Sequence, residues 1–378
     1  MTAFLGTVFR LAAGNLLRGI LTATARFRRG DGKKRILLFR NDMLGDFIVS
    51  LPFLQKCSRF FRMRGYVIAV VVSSSQETLA RRSGYFDEII PMDRRAFAAG
   101  LRNRIRLLGR IAALKAELCV NPVHHINAAP LLFVAGGRKY GFDWSRWPLR
   151  NRMHRAIRTQ MLRCYTKTVP DDRRPIFDLE EELFFVISGE HYTPCVAGAL
   201  NFALPPYSAL PTAGKQYYVL APGASSLRRA WPPERCAMLI GRLKILFPHL
   251  QAVLTGTADE IPLGRRLQNE SGALNLCGAL SLSEFFGVIG GAAFLIGNDS
   301  GAVHAAAALE KLSFAVAGGG YFGIYFPSPY YPRCHTVSHR FRCRNCRWQC
   351  SRKEEGCFPC IEAVSVEDVV RAIREHVK

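Results

Sequence analysis

Short apolar runs that each end in a small polar turn and lead into a helical stretch recur along this chain. No other feature constrains its fold as much. A strand, a crossover helix and another strand build a parallel sheet with helices on both faces. The first series has strands at 35–39, 66–72, 87–90 and 117–121, with helices at 46–60, 76–82 and 95–114. The second has strands at 217–220, 251–254, 273–276, 294–296 and 313–316. Its helices fall at 233–246, 260–269, 282–289 and 301–309, and a last one at 365–376 closes the chain. Between the two series, 196–214 is rich in Pro, Gly and Ala and reads as a linker. The expected fold is α/β: Rossmann-like domains at 33–195 and 215–378, with strand ends from both facing a central cleft. Residues 1–32 form an extension, and the basic, aromatic stretch 144–174 reads as an insertion or a binding surface.

The charge balance asks for an anionic partner. Lys and Arg number 52 against 29 Asp and Glu, a formal net charge of +23. Nucleic acid, an anionic membrane surface or anionic small molecules would each answer to it. No zinc-finger helix pattern and no RNA-recognition aromatic motif accompanies the basic clusters, which weighs against nucleic acid. No apolar run reaches the roughly 18–20 residues that span a bilayer. Residues 2–25 come nearest, but Arg10 and Arg18 interrupt them. Leu5, Phe9, Leu16 and Ile20 fall on one helical face, and a basic cluster follows. That pattern suits a helix lying in an anionic membrane interface, or one packed on the protein itself. Ala23-Thr24-Ala25 mimics a signal cleavage site, and the arginines inside the apolar region argue against one.

Four turns stand at the ends of expected strands. They are Asn41 to Asp46, Ala221 to Ser226, Leu254 to Glu260, and Gly297-Asn298-Asp299-Ser300-Gly301-Ala302-Val303-His304. The last is a strand, a small polar turn and a helix start, where free backbone N–H groups hold an anion such as phosphate. Each turn alone is common; their order and spacing are specific. Together they resemble glycosyltransferase family 9, the lipopolysaccharide heptosyltransferases. The resemblance rests on Arg40, Gly45-Asp46 and Leu51-Pro52, then Pro222-Gly223-Ala224, Arg229 and Trp231-Pro232-Pro233-Glu234. It continues through Asn275-Leu276-Cys277-Gly278 to the whole of Asn298 to His304.

The resemblance implies a GT-B fold, with the acceptor against the N-terminal half and the nucleotide-sugar in the C-terminal half. It implies transfer of a heptose or related sugar, with inversion and no required cofactor or metal. The donor would be ADP-heptose and the acceptor a lipopolysaccharide-core-like glycolipid, met at the inner face of the cytoplasmic membrane. Such transfer needs a base for the acceptor hydroxyl and positive charge for the departing diphosphate. Asp46 is the expected base, with Asp42 as a competitor and a simple helix cap as the alternative. Arg40 and Asn41 are the expected acceptor contacts. Arg229, or Arg228 beside it, grips the diphosphate. Ser225 and Ser226 donate to the same oxygens, and Ser300 and Gly301 hold them at the helix start. Asp299 fixes the turn or reaches sugar hydroxyls, because a carboxylate repels phosphate. Glu260 binds ribose hydroxyls, and His304 orients Asp299 or packs.

Twelve cysteines occur, and Cys343, Cys346, Cys350, Cys357 and Cys360 have spacings that suit structural zinc or an iron–sulfur cluster. Free or partly paired thiols are the alternative. With Cys334 these five make six in the C-terminal stretch; the other six sit in apolar surroundings, as buried thiols of a cytoplasmic protein do. Two rival functions remain at this stage: a non-catalytic sugar- or membrane-binding paralogue, and a nucleic-acid-binding protein.

Overall fold

The near-continuous apolar runs of the strands require cover on both faces, and the structure supplies it. A computed structural model describes residues 31–124, 128–147, 149, 151–202, 216–339, 341, 343–350 and 356–377. The extension at 1–32, apart from its last two residues, lies outside the described residues, as does most of the linker at 196–214. The described chain divides into two compact units. One runs to Asp172 and includes Asp178–Thr193; the other takes Arg173–Phe177 and continues from Pro194.

The first unit holds a parallel six-stranded sheet: β1 (Arg35–Arg40), β2 (Val67–Ser73), β3 (Glu88–Met92), β4 (Leu118–Asn121), β5 (Arg138–Asp143) and β6 (Lys167–Pro170). Their order is β3-β2-β1-β4-β5-β6. β1 is central, with Leu38 level with Val70 of β2 and Val120 of β4. Leu37, Phe39, Val71 and Cys119 pack against Leu107, Ile111, Leu131 and Leu132 from the helices. On helix Leu51–Arg62, Pro52 takes a first-turn position that needs no amide hydrogen, and Leu51, Phe53, Leu54 and Phe61 are buried.

The second unit repeats the plan with β7 (Gln216–Ala221), β8 (Leu250–Leu254), β9 (Leu274–Asn275), β10 (Leu295–Asn298), β11 (Ser313–Val316) and β12 (Cys334–Val337). The order is β12-β11-β10-β7-β8-β9, the same topology. Tyr218 and Phe294 stack at 5.2 Å in a core completed by Leu239, Leu243, Phe314, Val369 and Ile373.

In this strand order the chain reverses direction across the sheet once, between β1 and β4 and again between β7 and β10. Ligands of open α/β sheets bind at the carboxyl ends of such strand pairs. The turn at Asn41–Asp46 follows β1, the turn at Pro222–Ser226 follows β7, and Asp299 to Gly301 follow β10. Three strands escape the sequence reading. β5 is only partly buried, β12 is short and buries Val337 alone, and β6 buries Val169 alone. The stretch read as an irregular insertion therefore carries helix Arg152–Cys164, which buries only Met161, and the edge strand β6.

Candidate functional site

In the first unit the carboxyl end of β1 delivers Arg40, which is 2% exposed. Its Nη2 donates to the Asp46 carbonyl at 2.6 Å and lies 3.0 Å from Asp42 Oδ2. Its Nη1 donates to the Pro122 carbonyl at 3.3 Å, tying the β4 exit to β1, and lies 3.6 Å from Glu180 Oε1. The Ser50 hydroxyl donates to Glu180, which is 1% exposed. One guanidinium thus faces two carboxylates, Glu180 buried and Asp42 half-buried. Burial pushes Asp42 up to about 7 against the pull of Arg40, with the Asp46 charge adding to the rise. Burial likewise pushes Glu180 up to about 7, opposed by Arg40 and Ser50.

Asp46 stands in the first turn of helix Leu44–Val49, partly exposed. Its Oδ2 accepts the Met43 N–H at 3.3 Å, so the carboxylate does cap its helix. Arg40 and Asn41, expected at the acceptor, point inward. The amide of Asn41 donates to Met92 Sδ at 3.6 Å, and the residue is 5% exposed. Around them Asn41 Oδ1, Asp42 Oδ1, Gln76 Oε1 and Asn121 Oδ1 are buried with no hydrogen bond from the protein. This end of the sheet offers acceptors that hydroxyl donors would satisfy.

In the second unit Asn298, at the end of β10, is the staple. Its Nδ2 donates to the carbonyls of Pro222 and Gly223 at 2.8 and 3.0 Å, and its Oδ1 accepts the Trp231 N–H at 2.9 Å. The turns after β7 and β10 are thereby locked together. Trp231 is itself buried and donates its indole N–H to the Val364 carbonyl. Arg229 bridges the same two turns. Its Nη1 donates to Ser225 Oγ at 2.8 Å, and its Nη2 lies 3.4 Å from Asp299 Oδ2. Its Nε–H is buried without a protein partner. Arg228 faces elsewhere, with its guanidinium over the Phe358 ring at 4.4 Å. The pair is therefore divided: Arg229 sits among the turns and Arg228 on an aromatic side chain.

Ser226 is exposed and gives its carbonyl to the Arg229 N–H at 2.8 Å. Ser300 is the N-cap of helix Gly301–Ala308, and its hydroxyl makes no cap bond. Glu260 Oε2 accepts the Thr257 N–H at 2.6 Å and its hydroxyl at 3.1 Å. A Cβ on Gly223 would lie 1.5 Å from Glu260 Oε1, and one on Gly256 2.6 Å from Oε2. Both glycines leave room for that carboxylate beside the β7 and β8 turns. His304 is buried, bonds the Tyr331 hydroxyl through Nδ1 at 2.8 Å and stacks on Phe326. Burial, then the nearby Arg229, pulls it down to about 3, so the imidazole is neutral.

Two kinds of residue were missed from sequence. Glu180 hides in an acidic run, yet it lies at helical spacing from the buried Ile176, Phe177, Leu183 and Phe184, a signal that would have placed it inward. Trp348 and Tyr321 lie against Arg229, 4.6 and 5.6 Å from its guanidinium carbon, with no local signal to announce them.

Residues 104–354 match the family model described as glycosyltransferase family 9 (heptosyltransferase). The chain belongs to glycosyltransferase family 9. This family 9 chain is accordingly a glycosyltransferase of the heptosyltransferase family. No curated protein matches it in sequence. Among solved structures it is similar to the E. coli heptosyltransferase WaaC with ADP-2-deoxy-2-fluoro heptose, at 18% identity and TM-score 0.63. That match covers 91% of this chain and 100% of WaaC. It is also similar to E. coli ADP-heptose LPS heptosyltransferase II, at 17% identity and TM-score 0.57, over 90% of this chain and 98% of that one. The iron-containing dodecameric glycosyltransferase TibC from enterotoxigenic E. coli is similar at 15% identity and TM-score 0.54, over 91% of this chain and 78% of TibC. These likenesses establish the GT-B fold.

Among the described residues the cysteine spacing is not gathered into a metal-binding group: no three His, Cys, Asp or Glu side chains meet as one. Cys343, Cys346, Cys350, Cys357 and Cys360 are all free thiols. Burial pushes the Cys346, Cys357 and Cys360 thiols above their ordinary value. The Trp348 ring takes the space beside the Cys360 sulfur, over Gly318. No helix among the described residues is long and apolar enough to cross a membrane.

Proposed function

We propose that this chain transfers a heptose or related sugar, with inversion, from an ADP-sugar to an acidic, lipopolysaccharide-core-like glycolipid. The observation that carries this reading is Arg229. It joins the two turns at the β7/β10 switch point and keeps a buried N–H without a protein partner, in a family 9 chain. A guanidinium fixed this way offsets charge as the bond to the leaving diphosphate breaks. The free N–H groups at the start of helix Gly301–Ala308, with the Ser300 hydroxyl, complete the anion site. Ser225 and Ser226 flank it. Asp299 orients Arg229 rather than meeting phosphate, and Glu260 meets the donor's ribose hydroxyls.

In the first unit Asp46 takes the proton from the acceptor hydroxyl. Arg40 does not touch the acceptor in this reading; it fixes the turn by holding the Asp46 carbonyl and the Asp42 carboxylate. The unpartnered acceptors of Asn41, Asp42, Gln76 and Asn121 receive sugar hydroxyls. The net charge of +23 favours an acidic acceptor and a place on the anionic inner face of the cytoplasmic membrane. ADP and ADP-heptose in solved relatives support the choice of donor. The experiment is a thermal-shift screen of ADP, UDP and GDP and their sugars, since a ligand of the folded state raises its melting temperature. ADP and its heptose are expected to give the largest rise; no shift with any nucleotide would refute the reading.

A further inference from the structure

The cysteine-rich segment gathers no metal-binding group among the described residues, but it does carry an aromatic platform. We infer that Trp348 is a positioning residue for Arg229, which makes this segment a working part of the diphosphate site. The inference rests on the reading of Arg229 as the diphosphate ligand.

Three observations converge on it. The guanidinium carbon of Arg229 lies over the Trp348 ring at 4.6 Å and over Tyr321 at 5.6 Å, and these two rings meet edge to face at 6.1 Å. A cation on a ring face is attracted to it while its in-plane N–H groups stay free for oxygen. Ser225 and Asp299 use two of those edges, and the buried Nε–H remains.

The second observation is the seat built for the indole. A Cβ on Gly318 would lie 2.8 Å from Trp348 Cη2, and one on Gly320 would lie 2.2 Å from Cδ2 and Cε2. The turn after β11 is therefore bare of side chains where the indole rests. The backbone of the segment is pinned to it, with Asn345 N–H on the Gly319 carbonyl at 2.6 Å and Arg347 N–H on that of Gly320 at 2.8 Å.

The third is strain. Asn345, Arg347 and Trp348 have φ of 59°, 53° and 61°. A tryptophan in the left-handed region is an outlier held only by its surroundings, and such strain gathers at functional positions. Phe358 then backs the indole at 5.1 Å and carries Arg228 on its own face. Both arginines of the Arg228-Arg229 pair thus rest on rings supplied by residues 343–360.

Binding of ADP, inorganic pyrophosphate and adenosine to the full chain, measured by calorimetry, tests this. Trp348→Ala is expected to weaken ADP and pyrophosphate about tenfold, the range a desolvated cation–π contact spans, and to leave adenosine unchanged. Arg229→Gln should weaken the same two ligands, and adding Trp348→Ala to it should cost no more. Trp348→Phe keeps a ring, so it should lose only about threefold, and it carries the test if the alanine variant does not fold. Equal losses for adenosine and ADP, or losses that multiply in the double variant, would overturn the inference. If Arg229→Gln weakens ADP and Trp348→Ala does not, the inference alone fails. If Arg229→Gln leaves ADP untouched, or the native chain binds neither ADP nor pyrophosphate, the reading of Arg229 fails with it.

Discussion

Replacing Glu180 by Gln probes the buried charge under the proposed base. Gln keeps the volume and an oxygen for the Ser50 hydroxyl, and it removes one of two carboxylates that share Arg40. In the folded chain burial holds Glu180 at about 7, against an ordinary value of 4.5. Between those values the native state keeps a proton that the unfolded chain has released. The stability this supplies is complete below about 4.5, falls as the pH rises, and is gone above about 7. At roughly 1.4 kcal/mol per pH unit it amounts to about 3 kcal/mol. Gln has no such dependence and leaves Arg40 balanced by Asp42 alone. Glu180→Gln should therefore gain on the native chain by about 3 kcal/mol between pH 4.5 and pH 8, or roughly 6–12 °C in melting temperature for a domain of this size. Scanning calorimetry of both proteins at pH 4.5, 6, 7 and 8 measures it. Parallel curves would mean that Glu180 is not protonated in the fold. A variant that loses ground as the pH rises would mean that Glu180 is the ionised partner of Arg40, and the argument would be wrong.

Asp46→Asn keeps an acceptor for the Met43 N–H and removes the base, so ADP release from ADP-heptose with a core acceptor should fall about 10²–10⁴-fold while ADP affinity holds. Turnover close to native would transfer the role to another group, with Asp42 the nearest. Gly223→Ala places a carbon 1.5 Å from Glu260 Oε1, displaces that carboxylate from the Thr257 N–H, and should cost about 1.5–3 kcal/mol in calorimetry with weaker ADP binding. An unchanged ADP affinity would remove Glu260 from the donor site. Because Arg229 and the helix start meet the diphosphate in this reading, EDTA should leave turnover unchanged, and a loss of more than half would contradict it.

What the sequence made legible was local. The turns after β1, β7 and β10 announce themselves through glycine, small polar residues and the apolar runs before them, and the fold class followed from their alternation. That alternation implied parallel sheets covered on both faces, and the order of strands around β1 and β7 comes from the packed fold. The edge strands β6 and β12 were hidden because an edge position buries too little to leave an apolar pattern, and β5 because Arg138, Lys139 and Asp143 flank its short buried middle. Proximity was legible where one motif supplied both partners, as with Ser225 and Arg229. It was not where the partner came from far along the chain. Glu180 reaches Ser50 across 130 residues, and Trp348 reaches Arg229 from a segment whose cysteines pointed to a metal. No periodicity encodes such a pairing; only the packed fold brings it about.

The two units use one strand order to opposite electrostatic ends. At the β1/β4 point the fold gathers carboxylates around a single guanidinium, so protons are held there at values near 7, and in the proposed reading the unpartnered oxygens receive hydroxyl groups. At the β7/β10 point it keeps a guanidinium on aromatic faces, with its neighbouring histidine neutral. That neutrality matters, because a second cation beside Arg229 would repel it and loosen the contact with Asp299. Burying His304 against Tyr331 and Phe326 removes that competition and leaves the positive charge of Arg229 for an anion. Sugar transfer asks for this division: a proton acceptor on the side of the incoming hydroxyl and a fixed cation on the side of the departing diphosphate. In the proposed reading each unit supplies one of these positions, and the residues at its strand ends decide which charge it holds.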